Sequence, residues 1–195
     1  MKMFPRSRQA LAGGWFFLAP ALLGPAAAQP VPFGQEGELG KLLPPVPDRK
    51  VCFARTYDRA HLKKHRKQKV TALLFQLRYH RHDPEKEHPQ GQRNYYFGMS
   101  AQVKGQKKTL YASGECVPGE GGFHCGVECD GGGVSVERDP KGNAITIRLD
   151  DRIRMTIGCD GEEDDMIDLT PGGDDKIFRL HKASLSACRS LNAKM

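Results

Sequence analysis

The chain has no Gly-x-Ser-x-Gly elbow, no Walker or dinucleotide fingerprint and no Cys-x-x-Cys pair. The first absence removes the strand-to-helix turn that exposes a serine nucleophile, and Ser113, before Gly114, falls inside a predicted strand. The second removes a phosphate cradle, because the glycine run at residues 131–133 leads into another strand and not into a helix. The third removes the paired thiolates of a redox dithiol or a structural zinc site. Neither an enzyme nor a cofactor is expected.

Long apolar runs are also missing, except at the start. Lys2, Arg6 and Arg8 precede an apolar stretch at residues 14–23, and Ala26, Ala27 and Ala28 before Gln29 supply small residues for cleavage. Residues 1–28 therefore read as a signal peptide, and Pro20 and Pro25 argue against a retained anchor. No cysteine follows the cleavage region, so lipid anchoring is not expected. The mature protein is expected in the periplasm and not as an integral membrane protein.

Charge of one sign is in modest surplus. The net charge is +7, and three of the positive charges lie in the first 28 residues, which hold no acid, leaving +4. An exported protein with so small an excess is not expected to bind nucleic acid.

What remains is one domain's length of chain. Residues 29–48 hold five prolines and three glycines, the composition of an extended, flexible lead-in to a domain at 49–195. Residues 49–57 read as a strand, and Asp58 as the N-cap of a short basic helix reaching about Gln68. Period-two alternation then marks strands through Phe75, Leu77 and Tyr79, and through Tyr95, Phe97, Met99, Ala101 and Val103. A long polar loop, residues 80–93, joins them.

Hairpin partners share a constant sum of residue numbers, so register can be tested against the inward apolar face. The expected pairs are Ala101 with Leu110, Met99 with Ala112, Cys116 with Cys125, Gly114 with Val127, Cys129 with Val134, and Val136 with Ile145. A loop at residues 150–152 would then set Ile147 against Met155 and Ile145 against Ile157. A last strand at residues 176–180 precedes a helix capped by Ser184, with Leu185, Cys188 and Leu191 on one face. The fold class is mostly β, a single antiparallel up-and-down meander of about eight or nine strands, closed as a calycin-like barrel or packed as a sandwich.

All six cysteines lie in the mature part, an even number in an oxidising compartment, and read as structural disulfides. Cys116 and Cys125 face each other across a hairpin, within the reach of a disulfide. Cys52 with Cys188 would close a loop of over 100 residues, worth about 4 to 5 kcal/mol in the chain-entropy view. Cys129 and Cys159 remain as the third pair.

Other clusters have weaker claims. His61 and His65 at i, i+4, with His80 and His82 further on, are candidate metal ligands, but no Glu follows the first histidine as in a zincin helix. Asp160 and residues 162–165 form an acidic run without the spacing of an EF-hand loop. Arg59, Lys63, Lys64, Arg66 and Lys67, with Lys69 beyond them, form a basic face for anionic lipid or an acidic partner, or a solvated helix side.

The strings at residues 52–58 and 128–133, with His61, Leu62, His65 and the terminal Ala187 and Cys188, resemble a group of exported proteins of alphaproteobacteria with no known activity. That resemblance implies export and structural cysteines and brings no ligand or catalytic residue. The expected function is a non-enzymatic exported binding or accessory protein, taking a small apolar ligand in the barrel or a periplasmic protein on its loops. The alternatives are a periplasmic metal-binding protein using the histidines, or an inhibitor of a cell-wall lytic enzyme.

Overall fold

The computed structural model describes residues 30–128, 130–156 and 166–192. It is a closed antiparallel barrel of eight strands with one extra strand. The elements run α1 (Gly37–Leu42), β1 (Lys50–Thr56), α2 (Arg59–Lys64), β2 (Val70–Arg81), β3 (Arg93–Val103), β4 (Leu110–Gly119), β5 (Gly122–Gly126), β6 (Gly132–Arg138), β7 (Ala144–Thr156), β8 (Met166–Leu169) and β9 (Ile177–Ala183). A 3-10 turn, Leu185–Cys188, leads into α3, Arg189–Asn192. Strands β1 to β7 follow one another round the barrel, and β9 enters between β7 and β1 to close it.

The alternating residues make this wall because period two puts every second side chain inside. Leu73, Phe75, Leu77 and Tyr79 of β2 are buried, as are Tyr95, Phe97, Met99 and Ala101 of β3 and Ile145, Ile147, Leu149, Ile153 and Met155 of β7. Ala101 pairs with Leu110, Met99 with Ala112, and Cys116 with Cys125, as the register argument expects. Disulfides join Cys116 to Cys125 and Cys52 to Cys188. The latter fixes the 3-10 turn to the outside of β1, where Cys188 and Leu191 are buried but Leu185 is half exposed, off the face assigned to it. The pairing assigned to Cys129 and Cys159 lies outside the described residues, as do residues 1–28.

Two registers differ from expectation, each by whole pairs, so the inward face survives. Val134 faces Cys125 and not Cys129, because β5 stops at Gly126, beyond which Val127 N–H donates to Gly132 O. The glycine run there serves close approach more than tight reversal. Gly132 has φ +68, and a Cβ on it would lie 2.1 Å from Arg152 O. Val136 faces Ile147 and not Ile145, because the Asp139 carboxylate accepts from the amides of Asn143 and Ala144 and enlarges the turn.

The largest correction is at Asp150, Asp151 and Arg152. They do not reverse the chain, so Ile147 and Met155 lie on one 13-residue strand and are not partners. Leu149 pairs with Val134 and Ile153 with Gly132, leaving two extra residues on β7 as a bulge. The bulge lets β7 change partner on one edge, from β9 above it to β8 below. A polar tripeptide signals a break in alternation, and a bulge breaks alternation as a turn does.

Residues 30–48, read as an extended lead-in, instead cover one end of the barrel. Val31, Leu39 and Leu43 are buried in the main core. Tyr95 Oη donates to Leu43 O at 3.1 Å, and Arg138 Nε meets Glu38 Oε2 at 2.6 Å. The prolines surround this short helix without preventing it.

Candidate functional site

The barrel interior holds side chains where a ligand would sit. Phe97, Met99, Ile147 and Met155 are each 1% exposed or less and belong to one continuous core with the plug residues Leu39 and Leu43. Burial pushes the Tyr95 phenol up, and its hydroxyl is occupied by Leu43 O. Concavities must therefore be sought on the outside.

The four candidate histidines do not meet. His61 lies in α2 and His65 at its end, near the start of β2, while His80 and His82 lie at the other end of that strand; β2 has 12 residues, so at about 3.3 Å per residue its ends are roughly 36 Å apart. His61 Nε2 is 3.0 Å from Gln68 Oε1, and its ring stacks on His65 at 4.3 Å. His82 Nε2 is 2.8 Å from Tyr96 Oη, and His80 approaches Asp48 at 3.8 Å. Among the described residues no group of three or more His, Cys, Asp or Glu side chains could hold a metal ion.

Two polar clusters on the outer wall were not singled out from sequence. Tyr96 stands opposite Glu115 across β3 and β4, and burial, with the Glu115 carboxylate beside it, raises the phenol pKa. Asn94 Nδ2 donates to the same carboxylate at 3.1 Å. The register that pairs Ala101 with Leu110 also pairs Tyr96 with Glu115, so outward parity was the available signal. The second cluster joins Ser135, Asp150 and His124: Ser135 Oγ donates to Asp150, and His124 Nδ1 lies 3.9 Å from the same carboxylate. Here the carboxylate stands between serine and histidine. A serine nucleophile needs the imidazole in that position, so the arrangement ties strands together without activating the hydroxyl.

A concavity lies at the end opposite the plug. It is a groove of about 720 Å³ lined on one lip by Arg66, Lys67, Gln68 and Lys69 and on the other by Ile167, Asp168, Leu169 and Thr170. Val103, Lys104 and Leu110 add to its lining. The lips join where Asp175, buried in the loop before β9, accepts from Lys69 N at 2.6 Å and Val70 N at 3.1 Å. Asp168 is held by Arg154 at 3.1 Å and Arg152 at 3.8 Å. Both groove carboxylates are thus engaged. Arg66, Lys67 and Lys69 are exposed, and their side chains make no ion pair among the described residues.

This groove extends the basic face read from sequence. Asp58 caps α2 by accepting from His61 N at 2.7 Å, and the helix ends at Lys64, four residues short of the expected Gln68. The shorter helix splits the basic run: Arg59, Lys63 and Lys64 stay on α2, whereas Arg66 and Lys67 turn into the groove lip. Lys104, from the β3–β4 turn, joins them and donates to Gln68 O at 2.7 Å. The acidic run at residues 160–165 lies outside the described residues. No described helix is long and apolar enough to cross a membrane.

Compared with protein families, with curated proteins and with solved structures, the chain matches none.

Proposed function

We propose that this is an exported, non-enzymatic accessory protein that binds a partner protein at the basic end of its barrel. The observation that carries the reading is the contrast between a filled interior and an external groove lined by four basic side chains, Arg66, Lys67, Lys69 and Lys104. A small apolar ligand inside the barrel would have to displace Phe97 and Met99, both buried in the continuous core. A groove of several hundred cubic ångströms with a charged rim instead suits a segment of another chain.

Two disulfides accord with an oxidising compartment, and with the N-terminal signal pattern they favour the periplasm. A cell-wall lytic enzyme is one partner of the required kind. The separated histidine pairs give the metal-binding alternative no shared site.

The test is photo-cross-linking in the periplasm with a reactive amino acid at Arg66, and, as a control, at Lys141 on the plugged end. Discrete protein adducts from position 66 alone are expected. Stoichiometric small-molecule or metal adducts in native mass spectra, with no protein adduct at position 66, would overturn the reading.

A further inference from the structure

We infer that the groove receives an extended segment of the partner that adds to the free edge of β8 as a further strand, with acidic side chains toward the basic lip. The inference rests on the proposed function and names what that site would recognise.

Closure leaves the eight barrel strands paired on both sides, but β8 stands outside that ring. It hydrogen-bonds to β7 through the pairs Ile153 with Leu169, Arg154 with Asp168, Met155 with Ile167 and Thr156 with Met166, and to no other strand among the described residues. Such an edge presents a row of backbone donors and acceptors to any extended chain that reaches it. Proteins blunt edges with inward charges, proline or cover. Here Met166 is 40% exposed, and Ile167 and Leu169 flank the only carboxylate of the strand.

The edge faces the groove. Ile167, Asp168 and Leu169 of β8 and Thr170 just beyond it are four consecutive residues of its lining, and side chains of consecutive strand residues point to opposite faces. A concavity that touches all four meets the backbone edge and not one face. An incoming strand would therefore find peptide groups on one side and Arg66, Lys67 and Lys69 on the other.

The chemistry of the occupant follows. Main-chain pairing along β8 supplies affinity without sequence preference, and alternate side chains supply specificity. Inward positions of the added strand would meet Val103 and Leu110, which favour apolar residues. Its remaining positions would lie near three cations that make no ion pair among the described residues. A segment alternating apolar and acidic residues satisfies both, whereas a basic segment would be repelled.

The experiment uses the mature oxidised protein and three blocked octapeptides: alternating Val and Glu, the same peptide N-methylated at alternate amides, and alternating Val and Lys. Titration calorimetry is combined with hydrogen exchange at the amides of Met166–Leu169. The Val/Glu peptide is expected to bind and to slow exchange in β8, N-methylation to weaken binding at least about tenfold, and the Val/Lys peptide not to bind. Charge reversal by Lys67→Glu with Lys69→Glu should weaken the Val/Glu peptide about tenfold, and Lys141→Glu should leave it unchanged.

Binding that ignores N-methylation and leaves β8 exchange untouched would overturn strand addition. Failure of the Val/Glu peptide to bind at millimolar concentration would overturn it too. In either case cross-links from position 66 would still uphold the basic end as the partner site, and their absence would remove that reading separately.

Discussion

The two ends of the barrel solve the same problem in opposite ways. Strand ends expose core side chains and unpaired backbone. At one end residues 30–48 fold over the opening, placing Leu39 at 0% exposure and tying Glu38 to Arg138. At the other, the bulge in β7 directs the strand to β8, and the wall parts into a groove where, among the described residues, β8 keeps an unpaired edge and Arg66, Lys67 and Lys69 make no ion pair. The two described disulfides reinforce this division, since Cys52 lies near the start of β1 and Cys116 near the end of β4, both toward the plugged end. One end is fixed by burial and covalent bonds, which leaves the other to vary its contacts without unfolding the domain.

If that comparison is right, stability and binding should separate by end. The largest expected effect is loss of the Cys52–Cys188 bond. It spans a sequence separation of 136 against 9 for Cys116–Cys125. In the chain-entropy view these correspond to about 5 and about 2.6 kcal/mol. Urea denaturation of the two double serine variants should therefore rank Cys52→Ser/Cys188→Ser as the less stable, and equal losses would break the argument from loop length.

Leu39→Ala comes next. It removes a buried side chain from the plug, and a loss of about 2 to 5 kcal/mol is expected by denaturation. Lys67→Glu with Lys69→Glu, on the groove lip, should change stability by no more than about 0.5 kcal/mol. A destabilisation by the lysine reversals as large as that of Leu39→Ala would mean that the groove lip is structural and the two ends are alike.

How much of this was legible in the sequence follows the same division. Parity read the barrel wall correctly because a slip by one residue would expose Phe97 or Ile147, and that physical penalty is visible in alternation alone. The Cys116–Cys125 pair followed from the same register. Alternation does not count loop residues, however, so pairs such as Val136 with Ile147 were displaced by two. It also cannot distinguish the bulge at Asp150, Asp151 and Arg152 from a hairpin, since both interrupt the pattern with polar residues. The groove was hidden for that reason: it exists because β7 continues to β8. The plug was hidden by its own composition, because five prolines in residues 29–48 read as a linker while Leu39 and Leu43 carry the burial. Of the candidate site, only the basic residues Arg66, Lys67 and Lys69 were visible, and their separation from α2 was not.

The smallest expected effect concerns pH at the plugged end. A hydrogen bond from Lys41 at 2.6 Å, aided by Arg138, holds the Glu38 carboxyl below its usual pKa against the opposing cost of burial. A carboxyl whose pKa is lowered by folding contributes stability that is present above its unfolded pKa and is lost as pH falls through the folded one. Acid should therefore loosen the plug before the barrel: amide exchange at Leu39 and Leu43 should quicken below the ordinary carboxylate range while β2 and β3 stay protected. Glu38→Gln keeps the size of the side chain but removes its titration, so this pH dependence should flatten in the variant. If exchange in the plug and in β3 instead rises together at every pH, the plug is part of the same cooperative unit as the wall. The plugged end would then owe its closure to Leu39 and Leu43 and not to the Glu38 ion pairs.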